Sequence, residues 1–293
     1  MNELAHRPVV LDLDHSVGPL PGRLVLALEH WQEALRFGCP LATMRRFSAV
    51  LDELLPCSHG TVFMGSGDFH HLSWPLVARQ SGRGPFQVVV LDNHPDNMRF
   101  PFGVHCGSWV RKVALLPQVG HVHVLGITSA DIAVTHAWEN YLAPLWRGKL
   151  TYWSIGVETG WSRRLGLGHA FRNFASAGAL VDAFVGAQRK QAMPTYLSID
   201  KDVFASDVAR TNWDQGCLEL DHALAVIGSL RGALLGSDIN GEVSSYRYAS
   251  WWKRRLSAMD AQPVIDPAQL AAWQAQQHAL NLKLLAALAA GSG

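Results

Sequence analysis

Asp92, His94 and Asp96 stand at alternate positions directly after the apolar run Phe86-Gln87-Val88-Val89-Val90-Leu91. Side chains two apart share one face of an extended chain. If that geometry persists past the strand, two carboxylates and an imidazole point the same way. Such a set of hard and borderline donors is what a divalent metal takes from a protein. An Asp at a strand end also commonly caps the next turn, so this segment alone leaves both readings open. A second cluster favours the metal. Asp200 and Asp202 lie in Ser198-Ile199-Asp200-Lys201-Asp202, after the apolar run Pro194-Thr195-Tyr196-Leu197. A third run, residues 61–67, reaches glycines and ends in Asp68-Phe69-His70-His71, where either histidine is a possible donor.

These clusters need elements that bring them together. Strand-like runs are predicted at 9–14, 61–65, 86–92, 121–127, 150–156, 195–200 and 232–237. Helical spacing of apolar residues is predicted over 24–36, 72–81, 176–190, 219–230, 246–258 and 268–290. Strand–helix alternation argues for a single α/β domain over 1–293, three layers α/β/α, around a mainly parallel sheet. The carboxyl ends of parallel strands open onto one crevice. That one assumption gathers His70 or His71 with Asp92, His94, Asp96, Asp200 and Asp202. The set is too large for one structural zinc. Two metals about 3.5 Å apart, bridged by carboxylates, would use all of it. Carboxylate dominance favours Mn2+ or Mg2+, and the histidines favour Mn2+. Without cations these carboxylates would repel one another and be costly to bury.

Gly65-Ser66-Gly67 invites comparison with a phosphate-binding loop, but a third glycine is absent and Asp68 follows, which would repel phosphate. The chain has 293 residues, of which 48% are hydrophobic, and a net charge of +1. Nothing in that balance points to nucleic acid or an anionic membrane. No apolar run reaches the ~20 residues of a membrane span. The start, Met1 to Pro8, lacks the cationic and apolar regions of a signal peptide. Four cysteines, Cys39, Cys57, Cys106 and Cys217, form no Cys-x-x-Cys pair, which fits a reducing cytoplasm. Cys106 reads as a small semi-buried side chain rather than a nucleophile. Eleven tryptophans are present. Most belong to core or interface, while Trp74, Trp109 and Trp213 lie close to the motifs.

The order Asp68-Phe69-His70-His71, then Asp92-Asn93-His94-Pro95-Asp96, then Ser198-Ile199-Asp200-Lys201-Asp202 resembles the ureohydrolase superfamily of arginase, agmatinase and formimidoylglutamase. Pro75, five residues after His70, favours His70 over His71 in that register. His105-Cys106-Gly107 resembles the segment bearing the family's proton-shuttle histidine. Trp213 to Leu218 takes the place of a Gly-rich turn. Gly236 to Val243 resembles the segment whose glutamate binds the guanidinium, and Leu280 to Leu285 resembles the closing helix. The likeness runs from about residue 60 to the end, and residues 1–55 diverge.

The resemblance implies one Mn2+ on His70, Asp92, Asp96 and Asp200, and a second on Asp92, His94, Asp200 and Asp202. It implies that Asp92 and Asp200 bridge the metals, that a hydroxide shared by both attacks a guanidine or amidine carbon, and that a C–N bond is cleaved. His105 would relay the proton, and Glu242, with Asp238 nearby, would hold the guanidinium. A homotrimer or hexamer is also implied. Three departures matter. The segment Asp12 to Gly18 has no close family equivalent, and its Asp14 and His15 fit either a reach into the pocket or a cap or turn. Glu242 fits only with one inserted residue after Asp238. The interval from Asp96 to His105 is short and mostly apolar, lacking side chains for an α-carboxylate, so a small guanidino or amidino compound other than L-arginine is expected. Two other functions share the motifs: metal-dependent amide hydrolysis, and a non-catalytic binding or regulatory subunit.

Overall fold

The computed structural model describes residues 7–257 and 265–291. Met1 to His6, part of the segment read above for a signal peptide, lie outside the described residues. In chain order the strands are β1 (Val9–Asp12), β2 (Leu24–Ala27), β3 (Gly38–Cys39), β4 (Val62–Phe63), β5 (Phe86–Leu91), β6 (Val104–His105), β7 (Val119–Ile127), β8 (Leu150–Ile155), β9 (Phe171–Phe174), β10 (Thr195–Asp200) and β11 (Leu234–Asn240). Nine of them form one sheet in the order β2-β1-β4-β11-β10-β5-β7-β8-β9. Its pairings are all parallel. β3 and β6 form a separate antiparallel pair.

The sheet is covered on both faces because its central strands are apolar on both. Val88 and Val90 of β5 enter one core, with Phe47 and Leu51 of the helix Leu41–Leu54 and Val113 of the helix Val110–Ala114. Val89 and Leu91 enter the other, with Phe184 of the helix Ala177–Lys190, Ile227 of Leu220–Ser229 and Leu284 of Pro267–Gly291. This is the three-layer α/β/α domain expected from strand–helix alternation.

The core strands fall where the sequence places them, and the edges do not. A helix was expected over 24–36, yet Leu24–Ala27 is a strand beside β1 and only Gln32–Leu35 is α-helical. Four apolar residues fit either period. Here the open edge of β1 offers backbone partners that a helix would leave unused. The edge strand β9 and the helix Leu41–Leu54 were not anticipated. Among the described residues no helix is long and apolar enough to cross a membrane.

Candidate metal centre

β5 and β10 are hydrogen-bonded neighbours, so Leu91 and Ile199 lie side by side. The ligand candidates that follow each strand therefore emerge together at the carboxyl edge. β5 stops at Leu91, so the period-two geometry does not extend through Asp96. Asp96 instead takes a left-handed conformation, with φ 45°, which Asp tolerates better than most residues. This turn, not strand alternation, brings Asp96 Oδ2 to 2.8 Å from His70 Nδ1.

His70 Nδ1 also lies 3.2 Å from Asp92 Oδ2 and 3.3 Å from Asp200 Oδ2. His94 Nδ1 lies 2.9 Å from Asp202 Oδ2 and 3.6 Å from Asp92 Oδ1. Two donor groups result, His70-Asp92-Asp200 and Asp92-His94-Asp202, and they share Asp92. Asp200 joins only the first group as the side chains stand, while its Oδ1 accepts from the Asp202 backbone N–H at 3.1 Å. His71 is sealed in the interior and does not reach these carboxylates. Of the two histidines, the structure brings His70 to the cluster.

The surroundings orient these side chains. His70 Nε2 meets Ser198 Oγ at 3.0 Å, and that hydroxyl donates to Asp238 Oδ1 at 2.6 Å. Ser73 Oγ and Tyr196 OH also donate to Asp238, at 3.0 and 2.8 Å. With its hydroxyl proton committed to Asp238, Ser198 accepts from His70, so Nε2 carries a proton and Nδ1 is the atom turned to the carboxylates. Trp109 Nε1 donates to Asp96 Oδ2 at 2.6 Å. Trp109 is thus a buried support of the site, whereas Trp213 lies in the cavity wall. Trp74 packs against the core, with Lys112 over its ring.

The electrostatics fit a cation. Burial, and then the charge of Asp92, push Asp96 and Asp202 each up to about 7. Burial and Asp202 raise Asp200 well above the carboxylate range. Burial opposes the charge on Asp92 as well, yet its two histidine neighbours, His70 and His94, hold it below that range. Asp92 Oδ2 accepts no hydrogen bond although it is buried. A carboxylate oxygen stranded among other carboxylates and two inward Nδ1 atoms is a donor set awaiting a positive charge. The residues present therefore fit one or two divalent cations.

The cluster forms the floor of a cavity of about 380 Å³. His70, Asp92, His94, Asp96, Asp200, Asp202 and His105 all reach it. Phe37, Met98, Cys106 and Trp213 supply its apolar wall, and Asp131 and Asp214 add carboxylates outside the donor set. No sequence motif includes Asp131, although it follows β7 at the same carboxyl edge of the sheet. Asp214 stands in a turn with no motif of its own. Among the described residues no lysine or arginine lines this cavity.

His105 is stacked on Phe37, with Phe100 edge-on at 4.4 Å. Its Nδ1 accepts from the Gly107 backbone N–H at 3.0 Å, and burial lowers its pKa to about 4. The two expected substrate residues are not brought to the cavity. Glu242 is buried against Lys201 and Asn281, and Asp238 is occupied by Ser73, Tyr196 and Ser198. The N-terminal carboxylate Asp14 binds Ser16, Arg36 and Ser244, so its role is to join segments of the chain.

No protein-family model matches the chain. An uncharacterized protein from Thermotoga maritima is 28% identical over 208 residues, 71% of this chain and 67% of that protein. Among solved structures, agmatine ureohydrolase of Thermoplasma volcanium superposes with a TM-score of 0.55 at 14% identity, covering 99% of this chain and 90% of that one. Proclavaminate amidino hydrolase from Streptomyces clavuligerus gives 0.54 at 16% identity, covering 98% and 93%. A formiminoglutamase variant from Trypanosoma cruzi, with Mn2+2, gives 0.53 at 13% identity, covering 98% and 93%. At these identities the likeness is one of architecture: this chain shares the α/β/α fold of these structures.

Proposed function

We propose that this protein is a binuclear, manganese-dependent hydrolase that cleaves a C–N bond of a guanidino or amidino compound. The observation that carries this reading is the cavity floor, where His70, Asp92, His94, Asp96, Asp200 and Asp202 converge with Asp92 Oδ2 lacking a hydrogen bond. The fold shared with an agmatine ureohydrolase and an amidino hydrolase supports the reaction class. One metal would be held by His70, Asp92, Asp96 and Asp200, the other by Asp92, His94, Asp200 and Asp202. Once bound, the two cations would supply Lewis acidity and a hydroxide nucleophile near neutral pH. A carboxylate-rich donor set with two imidazoles favours Mn2+.

The remaining residues set what enters. A planar cation is drawn to a cavity whose charged side chains outside the donor set, Asp131 and Asp214, are both acidic. The absence of lysine and arginine from its lining leaves an α-carboxylate without a partner, which disfavours L-arginine. Phe37, Met98 and Trp213 give a bound carbon apolar walls. His105 faces the same space and is placed to contact the departing amine. A reducing cytoplasm and a homotrimer or hexamer complete the proposal.

The test is metal stoichiometry by elemental analysis after Mn2+ reconstitution, in wild type and Asp200→Ala, followed by urea release from a panel of guanidines. Two metals per chain, lost in the variant, with urea from at least one guanidine lacking a carboxylate, is the expected result. One metal or none in wild type sinks the binuclear mechanism. Two metals without urea from any guanidine turns the assignment toward amide hydrolysis or a binding role.

A further inference from the structure

The two histidines of the cluster are held differently. His70 is fixed from the interior through Ser198 and Asp238. His94 lies nearer the opening, its side chain 16% exposed, and its outer nitrogen meets a residue two-thirds exposed: Nε2 lies 2.8 Å from Asp214 Oδ1, and the Asp214 side chain is 67% exposed. An exposed acidic side chain ordinarily wanders. This one is anchored by Asn93, whose Nδ2 donates to the Asp214 carbonyl at 3.1 Å and to Asp214 Oδ2 at 3.2 Å. Asn93 is itself buried, and Thr128 donates to its Oδ1 twice, from N at 3.1 Å and Oγ1 at 2.5 Å. Two residues on, Gly216 N donates to the Asp202 carbonyl at 2.7 Å. The segment is therefore tied to the ends of β5, β7 and β10 at once.

We propose that Asp214 is a positioning residue that grips His94 Nε2 and thereby holds His94 Nδ1 toward Asp92 and Asp202. The inference rests on the metal reading above. A carboxylate on the outer nitrogen of a ligand histidine fixes its tautomer and its ring plane. Because the other oxygen of Asp214 is held by Asn93, a change of ring plane at His94 must break a bond in a network rooted in the sheet. Trp213, edge-on to His94 at 6.2 Å, closes the remaining side. The sequence motifs for metal binding do not include this residue, which belongs to the turn between β10 and the helix Leu220–Ser229.

The experiment compares wild type, Asp214→Ala and Asp214→Asn, using Mn2+ titration calorimetry and crystal structures of the metal-free proteins. Asp214 is exposed, so both variants should melt within a few degrees of wild type. Asp214→Ala should weaken one of the two Mn2+ equivalents about 10–100-fold and leave the other unchanged. Asp214→Asn, which keeps an acceptor oxygen, should recover most of that loss. In the metal-free Ala variant the His94 ring should leave the Asp92/Asp202 side. Unchanged affinity for both equivalents in Asp214→Ala overturns the inference. Fewer than two equivalents in wild type overturns the proposed function instead. The grip is then decided by the crystal structures: a displaced His94 ring supports it and an unmoved ring refutes it.

Discussion

Lys201 Nζ and Glu242 Oε1 form a 2.5 Å ion pair with 0% and 2% of their side chains exposed. The pair sits behind the turn that carries Asp200 and Asp202, and Asn281 closes it, its Oδ1 3.1 Å from Lys201 Nζ and its Nδ2 2.6 Å from Glu242 Oε1. Burial pulls the Lys201 pKa down, and the Glu242 charge resists that fall. Three distant segments are joined here, so the pair locks the helix Pro267–Gly291 onto the loop that carries Asp200 and Asp202.

Breaking this pair strands a charge in the interior. Lys201→Met should therefore destabilise the fold by about 3–5 kcal/mol, measured by urea unfolding. The double variant Lys201→Met/Glu242→Gln should recover part of that loss, because neither partner then carries an unpaired charge. A substrate role for Glu242 makes a different forecast: Glu242→Gln would raise KM with little change in stability.

Ser198 should matter to metal affinity more than to folding. It gives His70 Nε2 an acceptor backed by Asp238 and so keeps Nδ1 turned to the carboxylates. Ser198→Ala leaves His70 without that acceptor and free to take either tautomer. Mn2+ affinity should fall about 10–100-fold in calorimetry. Equal affinity in wild type and variant would mean that His70 is oriented by the surrounding carboxylates alone.

The convergence of Asp92, Asp96, Asp200 and Asp202 was legible because strand ends in a parallel sheet share an edge, and each motif follows a buried apolar strand. His70 needed only a register. The turn at Asp96 was not legible, since a left-handed residue interrupts the alternation that pointed to it and leaves no composition signal. The surroundings of Glu242 were not legible for a different reason. Its partner Lys201 is distant in sequence and its contact Asn281 lies in the last helix, so no local pattern records the pair. Asp214 was hidden by exposure, since an acidic residue in a polar turn is ordinarily solvated. Its grip on His94 depends on how the ends of β5 and β10 meet.

Gly241 has φ +86°, and a Cβ there would lie 2.5 Å from Asp200 Oδ1 and 2.6 Å from the Lys201 backbone nitrogen. Only glycine adopts this backbone without strain, and only glycine clears the ligand. Gly241→Ala should cost about 1–3 kcal/mol from the left-handed conformation alone and should also displace Asp200. The thermal midpoint and the Mn2+ stoichiometry should fall together. A variant that lost stability while keeping full metal content would show that Asp200 can move without leaving its ligand position.

His123 gives the clearest pH dependence away from the metal ligands. Its ring packs against Trp153 and Phe184, and its Nδ1 accepts from Trp153 Nε1 at 3.2 Å. Burial, then the nearby His121 and Arg172, lower its pKa from 6.5 to about 3. The sign follows from which state binds the proton. Between about 6.5 and 3 the unfolded chain takes up a proton at this residue that the folded chain refuses. The contribution of neutral His123 to stability is therefore complete above about pH 6.5 and declines as the pH falls toward 3. Unfolding free energies measured from pH 7 to pH 4 should drop less steeply in His123→Gln than in wild type, by close to one proton in the slope. Parallel slopes would show that His123 protonates in the folded protein at its ordinary pKa.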